Sequence, residues 1–250
     1  MKNIIKTEDI IHRSYLNRIL LEIADSSISL FLGFKGGTCA LMLDYLDRFS
    51  IDLDFDLIEK NKEKKVRKEI KNIISALGLK IKKEMKNTIM FEVNYPNEIG
   101  KRNTIKLSVT TIPPKANKYK YEYLPDIARV MRCQTIETMF GNKLVAITDR
   151  YNKHKSIAGR DLYDIHHFFI KGYKYSKEVI EERTKKKAIE YFEELEKFIA
   201  RKINQKIIDE DLNTLLPYEK FRSIRKIIIP ETLSLIREEI VKLKGDKIGS

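Results

Sequence analysis

The sequence predicts an α+β protein, with a mixed β-sheet domain over residues 1–134 and a helical domain over residues 135–250. Two observations lead to this division. From Ile28 to Arg132, short apolar runs rich in β-branched and aromatic residues alternate with proline-containing turns, which is typical of strands. Beyond Arg132 the apolar residues recur at helical spacing almost throughout, which predicts helices.

The first domain is predicted to hold six strands and three helices. The strands are predicted over Ile28–Phe34, Ile51–Leu57, Leu79–Lys83, Thr88–Tyr95, Thr104–Ile112 and Tyr119–Leu124. The helices are predicted over Glu8–Ala24, Thr38–Leu46 and Glu63–Leu77. Gly78 follows the third helix, where a glycine commonly ends one.

The second domain is predicted to be helical. One helix covers Ile136–Tyr151, and others begin near Asp161 and Ser176. Two more are predicted over Pro217–Ile229 and Glu231–Leu243, because a proline is tolerated in the first turn of a helix.

The composition describes a strongly basic protein. The formal net charge is +13 and the isoelectric point is about 9.5. This charge favours partners such as nucleic acid, nucleotide phosphates or an anionic membrane surface. A lysine-rich solvated surface without such a partner is the alternative.

Other features of the composition indicate a cytoplasmic protein. Cys39 and Cys133 lie in apolar stretches and are expected to be buried thiols, with no zinc-binding pattern around them. Met1–Lys6 does not resemble the start of a signal peptide. No apolar run approaches the roughly 20 residues that span a membrane.

Acidic residues alternate along the second predicted strand. Asp52, Asp54 and Asp56 point to one face, because successive side chains of a strand point to opposite faces. Carboxylates gathered in this way suit a hard cation such as Mg²⁺. A half-buried strand with a solvated acidic face is the alternative.

A glycine pair precedes this strand. Gly36 and Gly37 follow an apolar run, and Thr38 opens a predicted helix. Glycines let the backbone approach a phosphate closely, and the first amides of a helix are free to bind an anion. A plain strand-to-helix turn is the alternative. The combination of this turn with the acidic strand predicts a phosphate site beside a metal site.

These residues resemble a known family. The strings Phe34-Lys35-Gly36-Gly37-Thr38 and Arg48-Phe49-Ser50-Ile51-Asp52-Leu53-Asp54-Phe55 are similar to the signature of the DNA polymerase β-type nucleotidyltransferase superfamily. They resemble most specifically the AbiEii-type nucleotidyltransferases, the toxins of type IV toxin–antitoxin and phage abortive-infection systems. The resemblance extends from about Phe31 to Phe169.

A second group of residues lies in the helical domain. Lys143 falls on the apolar face of its predicted helix, where a charge is costly unless it meets an anion. A lysine at the edge of the apolar stripe, with its charge in solvent, is the alternative, and Lys143→Met would then leave stability unchanged. Asp161 and Asp164 share a helix face, although Asp161 could be only a helix cap and Asp164 only an ion-pair partner. Lys143 and the two aspartates match later motifs of the family, which place the lysine and an aspartate in the active site.

The resemblance implies a mechanism. Asp52 and Asp54 hold two Mg²⁺ ions, and Gly36-Gly37-Thr38 binds the phosphates of a nucleoside triphosphate, with Ser50 as a further contact. Lys35, Arg48 and Lys143 supply positive charge, and Asp161 or Asp164 orients Lys143 or a base. It implies an RNA acceptor, expected to be the 3′ end of tRNA, and a cognate antitoxin protein.

Ser108 departs from the family pattern. The family carries a third acidic residue on a later strand, and this sequence has Ser108 in the matching stretch. Asp56, Glu92 or an aspartate of the helical domain could replace it, catalysis could be slow, or the match could be displaced. Ser108 therefore leaves a non-catalytic nucleic-acid-binding or interaction module as one alternative. Transfer of a nucleoside monophosphate to a protein hydroxyl, an AMPylation-like reaction, is a separate alternative.

Overall fold

The computed structural model describes residues 7–246; the Met1–Lys6 segment considered above for a signal peptide lies outside them. The chain divides into two compact units. One runs through Pro113 and from Asn117 to Thr135, and the other takes in Pro114–Ala116 and the described residues from Ile136 onward.

The first unit combines helices with one mixed sheet. Its helices are α1 (Thr7–Asp25), α2 (Gly36–Met42) and α3 (Glu63–Ala76). Its strands are β1 (Leu32–Lys35), β2 (Asp52–Leu57), β3 (Lys80–Met85), β4 (Ile89–Asn94), β5 (Thr104–Thr110), β6 (Tyr119–Leu124) and β7 (Arg129–Gln134). The α+β class predicted from the sequence is confirmed.

The seven described strands form one sheet in the order β3-β4-β5-β2-β1-β7-β6. The central pairs β2–β5 and β1–β7 are parallel, and the other neighbours are antiparallel. Strands β1 and β2 meet in a register that places Lys35 opposite Asp54. The glycine turn therefore lies at the level of the second motif aspartate.

The two faces of the sheet differ in character. On one face, apolar side chains such as Phe34, Phe55 and Leu107 are fully buried. Helices α1 and α3 contact each other and the sheet. The opposite face carries the alternate residues of each strand, which include Asp52, Asp54 and Asp56 and the positions paired with them. We call this second side the acidic face.

The structure corrects three element predictions in this unit. The run predicted as a strand over Ile28–Phe34 begins instead with a 3-10 turn, Ser29–Phe31, so β1 is short. The helix predicted over Thr38–Leu46 starts at Gly36 and ends at Met42. Strand β7 was not predicted, because only its inward residues Met131 and Cys133 are apolar enough to be buried.

Both cysteines are buried free thiols, as predicted. Cys39 follows the glycine turn on α2, and Cys133 lies on β7. Burial and the neighbouring Cys133 thiol raise the pKa of the Cys39 thiol. The raised pKa disfavours the reactive thiolate of Cys39, which is therefore a packing residue.

The second unit is helical. Its helices are α4 (Ile136–His154), α5 (Gly159–Ile170), α6 (Lys177–Thr184), α7 (Ala188–Lys202), α8 (Gln205–Leu212), α9 (Tyr218–Ile224) and α10 (Ile228–Asp246). Ser176 caps α6, accepting a hydrogen bond from the Val179 amide at 3.2 Å. The break between the last two helices lies at residues 225–227 and not at Pro230, although Pro230 does lie in the first turn of α10, as expected. In the part of the chain that the structure describes, no helix has the length and apolar character of a membrane span.

Candidate active site

The glycine turn approaches the second motif aspartate closely. Gly36 has a φ of +79°, a conformation that favours glycine. A side chain added at Gly36 would place its Cβ 2.9 Å from Oδ2 of Asp54. Both the conformation and the space therefore require a glycine here, and the backbone of the turn borders the aspartate.

The next residues of the turn contact the segment before β2. A Cβ at Gly37 would lie 2.8 Å from the Ser50 hydroxyl and 3.1 Å from Nη2 of Arg48. The Thr38 hydroxyl lies 2.5 Å from the Asp52 carbonyl oxygen and 2.9 Å from the Ser50 hydroxyl. Because a carbonyl only accepts, Thr38 donates to Asp52 and can accept from Ser50. These contacts bring together five of the six residues that the sequence predicts to bind nucleotide, with Arg48 and Ser50 at Gly37. The sixth, Lys35, precedes the turn, and its ammonium is bound to Asp56.

Ser108 occupies the position opposite Asp54 on β5. Its hydroxyl donates a hydrogen bond to Oδ1 of Asp54 at 2.5 Å. The stretch that the resemblance selected therefore does lie beside the motif aspartates. In that place the chain offers a hydroxyl donor to Asp54 instead of a third carboxylate.

Asp56 has different surroundings from Asp52 and Asp54. It is fully buried, and its two oxygens accept four hydrogen bonds at 2.6–3.0 Å. The four donors come from three segments of the first unit: Lys35, Asn117 with Tyr119, and Gln134. We call this arrangement the Asp56 hub. It is a stable arrangement, because each oxygen of the buried carboxylate is satisfied by hydrogen bonds.

Two of the hub donors, Lys35 and Tyr119, are also affected by their surroundings. The Lys35 ammonium also donates to Thr110 at 2.7 Å, so here it is bound within the sheet. Burial and the charge of Asp56 raise the pKa of Tyr119, which remains a neutral donor. A phosphate-binding role for Lys35 stays a prediction.

The carboxylates nearest the glycine turn are a pair. Asp52 and Asp54 are half-buried, whereas Asp56 is held in the hub. Glu92 is two strands away from Asp52, with Lys106 between them in register. Within residues 9–245, whose side chains are described, no group of three or more His, Cys, Asp or Glu could hold a metal ion.

Two carboxylates nevertheless fit a magnesium ion. Mg²⁺ in nucleotide enzymes commonly takes one or two carboxylates and completes its shell with water and substrate phosphates. The glycine turn beside Asp54 is where such phosphates would come closest to the pair. The residues therefore fit a cation that binds together with a nucleotide.

The second unit holds its own charge cluster. The Lys143 ammonium on α4 lies 2.8 Å from Asp164 and 3.1 Å from Asp161, both on α5. Arg150 donates to the second oxygen of Asp161 at 3.1 Å. The two aspartates are fully buried, and 18% of the Lys143 side chain is exposed.

The contacts of this cluster show which of the alternative roles Asp161 and Lys143 have in the fold. Asp161 is not a helix cap, because α5 begins at Gly159 and its N-cap is Ala158. Burial alone would raise the pKa of Asp161, but Lys143 and Arg150 outweigh it and lower that pKa. Lys143 is thus an ion-paired lysine, and its participation in the reaction stays a prediction.

Sequence reasoning missed Lys106 and three hub donors, Asn117, Tyr119 and Gln134. Lys106 lies directly opposite Asp52 on β5. The alternation of Lys106 with apolar neighbours could have placed it on the acidic face once the pairing of β2 and β5 was known. The hub donors have no local sequence signal, because their segments meet Asp56 only in the folded sheet.

The glycine–aspartate geometry fits a nucleotidyltransferase, and comparison with known proteins assigns the chain to that class. The family described as Nucleotidyl transferase AbiEii toxin, Type IV TA system, matches residues 18–227. The chain belongs to this family, as the sequence resemblance predicted. Nucleotidyltransferases act on nucleoside triphosphates with a divalent metal in general, and the type IV toxin–antitoxin assignment implies an antitoxin partner.

Solved structures share the fold. JHP933 from Helicobacter pylori is 18% identical, with a TM-score of 0.60 over 98% of this chain and 97% of that one. MenT4, a nucleotidyltransferase toxin from Mycobacterium tuberculosis, is 14% identical, with a TM-score of 0.52 over 94% of this chain and 91% of that one. No curated protein matches the sequence significantly.

Proposed function

We propose that the chain is a magnesium-dependent toxin that transfers a nucleoside monophosphate from a nucleoside triphosphate to RNA. We expect the acceptor to be the 3′ end of tRNA and the reaction to occur in the cytoplasm, as part of a toxin–antitoxin or phage-defence system. The observation that carries the proposal is the contact between the Gly36 turn and Asp54. It supports a site where phosphates and a metal-binding carboxylate meet.

In the proposed reaction, a hydroxyl oxygen of the acceptor attacks the α-phosphorus. The bond between the α-phosphorus and the bridging oxygen breaks, and pyrophosphate and a proton are released. Asp52 and Asp54 would hold two Mg²⁺ ions, which supply charge neutralisation for the phosphates and activation of the hydroxyl. Ser108 fixes the orientation of Asp54 through its hydrogen bond.

The residues around the glycine turn would bind the triphosphate. The backbone of Gly36 and Gly37 allows close approach of the β- and γ-phosphates. Arg48, Lys35 and Ser50 supply donors, and positive charge is most effective as the pyrophosphate leaves. We propose that Lys143 also supplies positive charge, held in position by Asp161 and Asp164.

Labelling with α-³²P nucleoside triphosphates tests the proposal. Purified protein is incubated with Mg²⁺, each nucleotide in turn, and either total RNA or total protein. We expect labelled RNA of tRNA size and no label after Asp54→Ala. The matched control is Glu98→Ala, which removes an exposed carboxylate from the same unit and should leave labelling unchanged. Labelled protein would instead establish transfer to a protein hydroxyl, and no label with any nucleotide would favour an inactive binding module.

A further inference from the structure

A row of exposed aromatic residues lies on the acidic face at one edge of the sheet. Tyr121 and Tyr123 on β6 are 61% and 57% exposed, and Val130 on β7 is 60% exposed. In register, Tyr121 pairs with Arg132 and Tyr123 pairs with Val130. We call these four residues the tyrosine strip.

The strip shares its face with the motif aspartates. Tyr119 and Gln134 form the next pair along β6 and β7, and both donate to Asp56. Because alternate residues of a strand point to the same side, Tyr121 and Arg132 face the same way as those two donors. The strip is therefore a continuation of the surface that carries Asp52 and Asp54.

The opposite edge of the sheet shows that this composition is unusual for an exposed strand. Strand β3 carries lysines at Lys80, Lys82 and Lys83, which is a common way to protect an edge from unwanted pairing. Strand β6, the other edge, has one exposed lysine, Lys120, and in addition exposes two aromatic rings. Neighbouring exposed rings of this kind form a patch that a partner can bind.

Positive charge accompanies the rings. The Arg132 guanidinium lies 5.4 Å from the centre of the Tyr121 ring and donates to the Tyr121 hydroxyl at 3.0 Å. It also donates to the Leu30 carbonyl at 3.3 Å, so both of these acceptors are neutral. Next to Leu30, the Phe31 ring has the ammonium groups of Lys62 and Lys65 each at 5.2 Å. The acidic residue of β6, Glu122, alternates to the other face.

We propose that the tyrosine strip binds the unpaired strand of the RNA acceptor, with bases stacked on Tyr121 and Tyr123 and a phosphate bound by Arg132. This inference rests on the proposed function, in which the acceptor is RNA. Aromatic rings with interspersed cations are the usual surface for single-stranded nucleic acid, since every base has a face that can stack. An acidic protein would need the cations but not the rings.

The position of the strip fits this role. Three strand steps separate β2 from β6, and two strand residues separate the levels of Asp54 and Tyr121. From strand geometry, Tyr121 and Tyr123 lie roughly 15–20 Å from Asp54. They would contact bases a few nucleotides before the reacting end, and they are positioning residues.

RNA binding measured without catalysis tests the inference. Fluorescence anisotropy compares a 12-nucleotide single-stranded RNA with a blunt RNA duplex of the same sequence, using the full chain and its Asp54→Ala variant. We expect both proteins to prefer the single strand, because stacking needs unpaired bases. The variant Tyr121→Ala/Tyr123→Ala should bind the single strand at least tenfold more weakly. Arg132→Gln should reduce the dependence of affinity on salt by about one ion.

The matched control is Tyr218→Ala, which removes an exposed tyrosine of α9. Its RNA affinity should equal that of the unmodified protein, and melting temperatures should be unchanged for all exposed-tyrosine variants. In the labelling assay, the double tyrosine variant should raise KM for RNA and leave KM for the nucleotide unchanged.

The outcomes separate the two proposals. Strip-dependent RNA binding without any labelling would support the strip and contradict the proposed transfer. Labelled RNA together with unchanged affinity and KM in the double tyrosine variant would overturn the strip. A double variant that keeps RNA affinity but loses self-association or antitoxin binding would overturn it as well and assign the strip to a protein partner.

Discussion

Ser108 donates a hydrogen bond to Oδ1 of Asp54 at 2.5 Å from the position directly opposite it on the neighbouring parallel strand. The contact places a hydroxyl beside Asp54 in the stretch where the family resemblance predicts a third acidic residue. The hydroxyl holds one oxygen of Asp54 in place without adding a negative charge. For the Mg²⁺ site that we propose, residue 108 is therefore a position at which metal affinity can be adjusted.

Replacing Ser108 with aspartate should make stability depend on Mg²⁺. Like charges directly opposite each other on neighbouring strands repel, so Ser108→Asp should lower the melting temperature in EDTA. Added Mg²⁺ should recover it, because three carboxylates bind the cation more tightly than two. Thermal denaturation with and without Mg²⁺ measures both effects. Ser108→Asn is the uncharged control, and an equal response of the two variants to Mg²⁺ would refute a cation site at Asp54.

Replacing Asp56 with alanine should damage the fold more than replacing Asp54. Asp56→Ala leaves Lys35, Tyr119 and the two amide donors of the hub without their acceptor. Removing one partner of a buried charge pair costs about 3–5 kcal/mol, and we expect a loss of this size in the free energy of unfolding. Urea denaturation provides the measurement. Asp54→Ala should lose activity with little loss of stability. If Asp54→Ala instead unfolded more readily than Asp56→Ala, Asp54 would be the structural residue of the two.

Because Lys143 pairs with two buried aspartates, its replacement should lower the stability of the second unit. Lys143→Met leaves Asp161 and Asp164 with Arg150 as the one remaining cation of the described cluster. We expect a loss of about 2–3 kcal/mol in unfolding free energy, less than for a fully broken pair because Arg150 remains. The sequence-based expectation of unchanged stability is therefore replaced by one of destabilisation.

A second variant separates the stability of this cluster from its chemistry. Lys143→Met/Asp164→Asn leaves one cation and one anion, so it should be more stable than Lys143→Met alone. If the Lys143 ammonium acts in the reaction, nucleotide transfer by this variant should still fall about a hundredfold or more. Transfer at the normal rate would show that the lysine has a structural role alone.

His12 should make the first unit sensitive to acid. Its ring is buried between the Tyr95 hydroxyl, 2.7 Å from Nδ1, and the Ile51 carbonyl, 2.9 Å from Nε2. Burial lowers the pKa of His12 from 6.5 to about 4. The unfolded chain therefore binds a proton at higher pH than the folded one. Stability should be complete above pH 6.5 and fall by up to about 1.4 kcal/mol per pH unit toward pH 4.

Urea denaturation between pH 4 and pH 7 measures this dependence. His12→Gln retains a hydrogen-bonding side chain without a titrating ring, and it should show a smaller slope than the unmodified protein. The effect bears on the site, because the Ile51 carbonyl that His12 contacts immediately precedes Asp52. Identical slopes in the two proteins would exclude His12 as the source of the acid sensitivity.

The parts of the site that the sequence predicts are those encoded over short distances. The glycine turn and Asp52-Leu53-Asp54 are recognisable because their spacing along the chain is itself the signal. Strand β7 has no clear sequence signal, because the apolar Val130 is exposed and the polar Gln134 is buried. At Ser29–Phe31 the sequence predicts a strand in place of the 3-10 turn, since the apolar residues there have the same local preference as a buried strand.

The Asp56 hub could not be predicted for a different reason. Asp56 continues the alternation of Asp52 and Asp54, so its sequence context is that of a metal ligand. Its donors Asn117, Tyr119 and Gln134 are more than 60 positions away in the chain. Only the neighbouring positions of β1, β7 and β6 reveal that this aspartate is a structural residue.

The parallel pairing of β1 with β7 also determines when the protein can become toxic during its own synthesis. Phe34 and Cys133 are neighbours in the sheet although about a hundred residues separate them, and contacts this distant in sequence form late in folding. Gln134, at the end of β7, is a donor to Asp56. A ribosome must therefore translate the whole first unit before the strand that carries Asp52 and Asp54 is locked in place. We expect nascent chains that end before β7 to remain open to protease, which would delay nucleotidyltransferase activity until the first unit has been synthesised.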